Sequence, residues 1–110
     1  MDWRVANELI ENKRYAHGLF FAHLAIEKIL KAHVCKATQN IAPYIHNLVM
    51  LAQRANLALS SSQVDALANM NPFNLNGRYP PIDEPHFSKK QVALIMKNAE
   101  EIMKWLKKQL

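Results

Sequence analysis

His23, Glu27 and Lys31 follow one another at four-residue intervals inside the apolar stretch GLFFAHLAIEKILKAH, Gly18 to His33. On a helix that spacing stacks side chains along one stripe, so a carboxylate would stand between an imidazole and an ammonium group. With residues about 100° apart, Leu19, Ile26, Leu30 and Val34 surround His23, and Glu27 falls about 40° away beside Phe20. The polar trio therefore belongs to an apolar face. An isolated buried carboxylate costs several kcal/mol, so Glu27 demands a cation or a donor. Two readings follow: a satisfied polar ladder at the edge of the core, or the floor of a binding site completed by His46 or Arg78. Spacing does not separate them. Lys31, one step further round, can lay its stem on apolar surface and keep its head in water.

Arg78 stands in the corner Gly77-Arg78-Tyr79-Pro80, which would hold a guanidinium stiffly beside an aromatic ring. The planar guanidinium can grip two phosphate oxygens, or it can return to pair with Glu27 or Asp83. His86 follows with seven residues between. An imidazole base and a guanidinium suit metal-independent RNA cleavage, one taking the 2′-hydroxyl proton and the other steadying the phosphorane. Across a proline-rich stretch no helical spacing brings them together. His46, in IHNL ahead of a helix, reads as a cap, a turn contact or a pocket residue. The five histidines form no Cys/His cluster of zinc-type spacing, so neither metal nor other cofactor is expected. The single Cys35 can make no intramolecular disulfide and reads as a small buried hydrophobe.

Helices must position these groups, and the punctuation allows them: glycines number two, and the prolines are Pro43 and a cluster from Pro72 to Pro85. The periodicity predicts a short helix over about 2–12, with Trp3, Ala6, Leu9 and Ile10 on one side. A second runs over about 14–37, a third starts near His46 with Leu48, Leu51, Ala52 and Ala55 on one face, and a fourth begins after Ser61 or Ser62 as cap. The fifth opens at Ser88 and presents Val92, Ile95, Met96, Ala99, Ile102, Met103 and Leu106 at helical spacing. Residues 71–87, seventeen in number, are expected to be irregular.

At 110 residues and half hydrophobic, residues 1–110 are expected to form one domain and one core. The balance of 14 Lys and Arg against 9 Asp and Glu leans toward phosphates or an acidic partner, although Lys104, Lys107 and Lys108 suit a helix C-terminus for structural reasons. No stretch approaches the ~20 apolar residues of a membrane span, and no signal peptide is evident, so a cytoplasmic protein without membrane or DNA partner is expected. The second helix has a further face of small and apolar residues, Gly18, Phe21, Ala25, Ile29 and Ala32, with Lys28 among them. A helix apolar on two sides needs two neighbours, and that face is expected to join two copies in a homodimer.

RYAHGLFFAHLAIEKILKAH, then IHNL after a proline-containing turn, then NPFNLNGRYP before a last long helix together resemble the HEPN family of small prokaryotic helical domains. The resemblance spans nearly the whole chain. It implies an all-α up-and-down bundle of four to five helices, a homodimer, and a module often paired with a small nucleotidyltransferase in a two-component, toxin-antitoxin-like system. It also implies either nucleotide or partner binding, with His23, Glu27, Lys31, His46, Arg78 and Tyr79 as ligand-binding residues, or ribonuclease activity. Ribonuclease members carry an Arg and, four to six residues later, a His, with a polar residue after the Arg. Here Arg78 and His86 are more widely spaced, and Tyr79 occupies the polar position. That departure tilts the expectation toward a non-catalytic module, with an Arg78 and His86 endoribonuclease as the alternative and a plain protein-interaction domain as a third.

Overall fold

The computed structural model describes residues 2–73 and 88–110. Among them the chain forms an all-α bundle of α1 (Asp2–Glu11), α2 (Tyr15–Thr38), α3 (Leu48–Arg54), α4 (Ser61–Met70) and α5 (Lys89–Gln109), with a short 3-10 turn at Asn71–Phe73. α2 is the axis of the packing: Leu19, Ala22, Ile26 and Leu30 are fully buried, and α1, α3 and α5 all lie against it. None of the helices among the described residues is long and apolar enough to cross a membrane.

α1 runs antiparallel to α2. A Cβ built on Gly18 would come within 2.5 Å of Ile10 Cδ1, and ten residues further along α2, Lys28 Nζ meets Asp2 Oδ2 at 2.6 Å. Ala25 lies between those contacts and is buried. The expected homodimer face is corrected accordingly: Gly18 and Ala25 are covered by the chain's own α1, while Lys28 and Ala32 are exposed and Phe21 and Ile29 half-buried. A ten-residue helix is about 15 Å long, enough to cover that strip, and the missing side chain of Gly18 lets it come close.

At the other end His33, itself buried, bonds through Nε2 to Leu106 O at 2.8 Å, and Lys36 Nζ donates to Leu110 O at 2.9 Å. Both contacts advance in the same direction along the two helices, so α5 lies parallel to the second half of α2. They satisfy carbonyls that the end of a helix leaves open. Each of α4 and α5 begins with a reciprocal capping box, Ser60 with Gln63 and Ser88 with Gln91. Ser60 rather than Ser61 or Ser62 caps α4, because only Ser60 has a glutamine three residues on. Cys35 is exposed rather than buried: the last turns of α2 offer only His33 and Val34 to the core. Asn71–Phe73 are regular, extending α4 as the 3-10 turn, against the expectation of irregular chain from residue 71.

Candidate functional site

Glu27 is 5% exposed and both of its oxygens are engaged. Oε2 accepts from Lys31 Nζ at 3.1 Å, and Oε1 accepts from His46 Nδ1 at 3.0 Å. His23, 1% exposed, places Nδ1 3.7 Å from the same Oε1, an electrostatic contact too long for a hydrogen bond. Burial holds the His23 pKa below the ordinary value of 6.5, against the upward pull of Glu27 and a hydrogen bond to the His46 backbone. The ring is accordingly neutral at pH 7.

The loop between α2 and α3 delivers His46. α2 stops at Gln39, whose left-handed φ of 53° turns the chain and whose N–H bonds to Cys35 O. Ile45 N then bonds to Pro43 O at 2.8 Å, a three-residue turn that thrusts Tyr44 outward, where it is 91% exposed. Just after His46, Asn47 caps α3 by accepting from Met50 N at 3.1 Å. Asn71, beyond α4, completes the anchor: its Oδ1 accepts from Leu48 N at 2.9 Å and its Nδ2 donates to Asn47 Oδ1 at 3.3 Å. With Asn47 providing the cap, the His46 side chain is free to reach Glu27.

The Tyr44 and His46 rings meet edge to face with centroids 4.9 Å apart, and Lys31 Nζ lies 5.8 Å from the centre of the Tyr44 ring. Nε2 of His23 and Nε2 of His46 are buried and have no hydrogen-bond partner. The cluster thus combines an oriented imidazole, a lysine side chain that is a quarter exposed, and an open aromatic face. Among the described residues no group of three or more His, Cys, Asp or Glu could hold a metal ion.

The family model of the HEPN domain matches residues 2–109. The chain belongs to the HEPN family. No curated protein and no solved structure matches it.

Of the site residues expected in this HEPN domain, the structure gathers His23, Glu27, Lys31 and His46 around one carboxylate. Arg78, Tyr79 and His86, and with them the ribonuclease pair, lie outside the described residues. Tyr44 was not among the expected site residues; the aromatic expected beside a cation is Tyr79, next to Arg78. A tyrosine next to a proline, in the same connection as His46, was the available signal. His33, on the same helix as Glu27, serves the end of α5 and not the site.

Proposed function

We propose that this HEPN domain binds a nucleotide at the Glu27 cluster, as one half of a two-component module whose other half is a small nucleotidyltransferase. The observation that supports the binding role is the division of the buried Glu27 carboxylate between Lys31 and His46, directly beside the exposed ring of Tyr44. A buried carboxylate that orients two side chains toward an open aromatic is organised for a ligand as well as for a fold. Tyr44 offers a π face on which a base can stack, and Lys31 a cation for phosphate oxygens. His46, bonded through Nδ1 to Glu27, sets its ring against Tyr44 and holds that aromatic face beside Lys31.

Calorimetric titration with ATP, GTP and their monophosphates tests the reading. Saturable heat in the wild type that is lost in Tyr44→Ala and weakened in Lys31→Met supports it; no heat and no thermal shift with any nucleotide leaves a protein-binding role alone. Homodimerisation belongs to the same proposal, through Phe21, Ile29 and Ala32, which α1 leaves at least partly open. Sedimentation as a monomer at tens of micromolar refutes that part. The two-component role is tested by co-expression with a nucleotidyltransferase encoded alongside: stable co-purification supports it, and separate elution refutes it.

A further inference from the structure

The connection between α2 and α3 is fixed at its two ends. Gln39 N bonds to Cys35 O at 2.8 Å and closes α2, and the side chains of Asn47 and Asn71 hold the start of α3. Between these ends no side chain is buried: Ala42, Pro43, Ile45 and His46 are half-buried and the others exposed. The bonds from Ile41 N to Asn40 Oδ1 and from Ile45 N to Pro43 O stay within the connection itself. Among the described residues, hydrogen bonds tie its middle to the rest of the chain at His46 alone. There Nδ1 bonds to Glu27 Oε1 at 3.0 Å, and the backbone meets the His23 ring. A segment held so thinly opens at low cost, and its attachment depends on two residues one turn apart on α2.

Two imidazoles converge on one oxygen in this cluster. His46 Nδ1 holds Glu27 Oε1 at 3.0 Å while His23 Nδ1 waits 3.7 Å from the same atom, and Lys31 keeps Oε2 at 3.1 Å whichever ring holds the first. The acceptors facing His23 Nδ1 assign the proton of the neutral ring to that nitrogen, so a second proton must enter at Nε2. Nε2 of His23 is buried without a partner, and an N–H formed there would have no acceptor. We propose that the cluster is an acid-operated latch: on taking up a proton, His23 replaces His46 at Glu27 Oε1, and the connection over residues 40–46 swings away from α2. The charged ring is the stronger donor to a carboxylate, and water entering where the connection lay accepts from Nε2. Glu27 keeps Lys31 throughout, so the exchange strands no charge. His46 is the ring that can leave, being 26% exposed on non-helical chain, whereas His23 is 1% exposed in the middle of a long helix. The groups facing His23 among the described residues are Glu27, which favours its charge, and Lys31 and the His46 imidazole, which oppose it. Burial lowers the proton affinity of His23 while the latch is closed, and hydration restores it on opening, so acid favours the open form. Below the ordinary value of 6.5 the open-to-closed ratio should rise by up to about tenfold per pH unit. Opening also parts Tyr44 from the His46 ring that meets its edge. The latch is a property of the chain alone and holds with or without a nucleotide.

Backbone amide relaxation by NMR, recorded on the full chain without nucleotide from about pH 7.5 to about pH 5, tests the latch. The amides of Ile41, Tyr44 and Ile45 should be as rigid as those of α2 at the upper pH and gain fast motion at the lower, while α2 and α5 stay rigid. The midpoint of that change should coincide with the titration of the His23 ring resonance, a comparison that needs no variant. In His23→Gln the mobility of the segment should no longer depend on pH. His46→Gln keeps a donor for Glu27 and has no imidazole to titrate, so its segment should still loosen in acid. A segment equally rigid at both pH values, a midpoint about one pH unit or more from that of His23, or α2 loosening together with the segment overturns the proposal. So does acid loosening that survives in His23→Gln or vanishes in His46→Gln.

Discussion

Replacing Glu27 by Gln tests whether the cluster is held by charge or only by shape. The amide keeps an oxygen that can accept from His46 Nδ1, so Glu27→Gln removes the charge and turns the acceptor facing Lys31 into an N–H donor, breaking that contact while leaving the other. A hydrogen bond to a charged group contributes about 1.5–3 kcal/mol when water is excluded. Lys31 is 25% exposed along its side chain and can turn its head to solvent, which lowers the expected loss to about 1–2 kcal/mol. In a domain of 110 residues that loss should lower Tm by roughly 5–10 °C. Lys31→Met keeps the packed stem and leaves Oε2 of Glu27 without its cation, at a similar cost. Because both single changes break one contact, the double variant should be less damaged than their sum, with a coupling of about 1 kcal/mol. Urea unfolding of the four proteins at pH 7 measures it. A coupling below about 0.3 kcal/mol would show that the Glu27 to Lys31 contact contributes nothing, and the argument for an organised site would fall with it.

The neutral His23 makes stability fall on the acid side. Its pKa is lower in the folded state than the ordinary 6.5, so unfolding takes up a proton below that pH. The contribution is complete above 6.5 and declines as the pH drops toward the lowered folded value. Urea midpoints between about pH 7.5 and pH 5 should show this decline in the wild type and a shallower one in His23→Gln; equal slopes would contradict it. Gly18→Ala gains about 1 kcal/mol of helix propensity yet should destabilise by roughly that much net, since the new Cβ meets Ile10. In an Ile10→Ala background the same change should become stabilising, as chemical denaturation can show. Asn71→Ala strands the Leu48 N–H and should cost about 1–2 kcal/mol, accompanied by a shift of the His46 imidazole resonances. Unchanged His46 resonances would separate that anchor from the site.

The long helices were legible because they carry local signatures: Ser88 as a cap, the stripe from Val92 to Leu106, and the apolar surroundings of His23. The demand of Glu27 for partners was also legible, since it follows from burial and charge alone. Lys31 could be named as one partner because it lies on the same helix. His46 could only be a candidate, because its arrival depends on how nine residues of non-helical chain, 39–47, fold back. The covering of Gly18 by α1 was not legible for a related reason: periodicity finds two apolar faces on α2, but the turn at Lys13 and Arg14 decides which neighbour reaches the second. That turn brings α1 back antiparallel, with Lys13 at a left-handed φ of 61° that few side chains favour. Tyr44 was hidden by the same limit, for its outward course follows from the turn at Pro43 rather than from any pattern in its own neighbourhood.

The Asn71 anchor has a chemical consequence for the ageing of the protein. Asparagines are lost over time chiefly when the following backbone nitrogen attacks the side-chain amide and closes a succinimide ring. Asn71 is followed by Pro72, whose nitrogen carries no hydrogen and cannot take that route. Conversion to aspartate would replace the Nδ2 donor that faces Asn47 Oδ1 with a second acceptor and set oxygen against oxygen at the start of α3. The residue that ties down Asn47 and Leu48, next to His46 in the chain, is therefore shielded, by its own neighbour, from the commonest spontaneous damage that would undo that anchor.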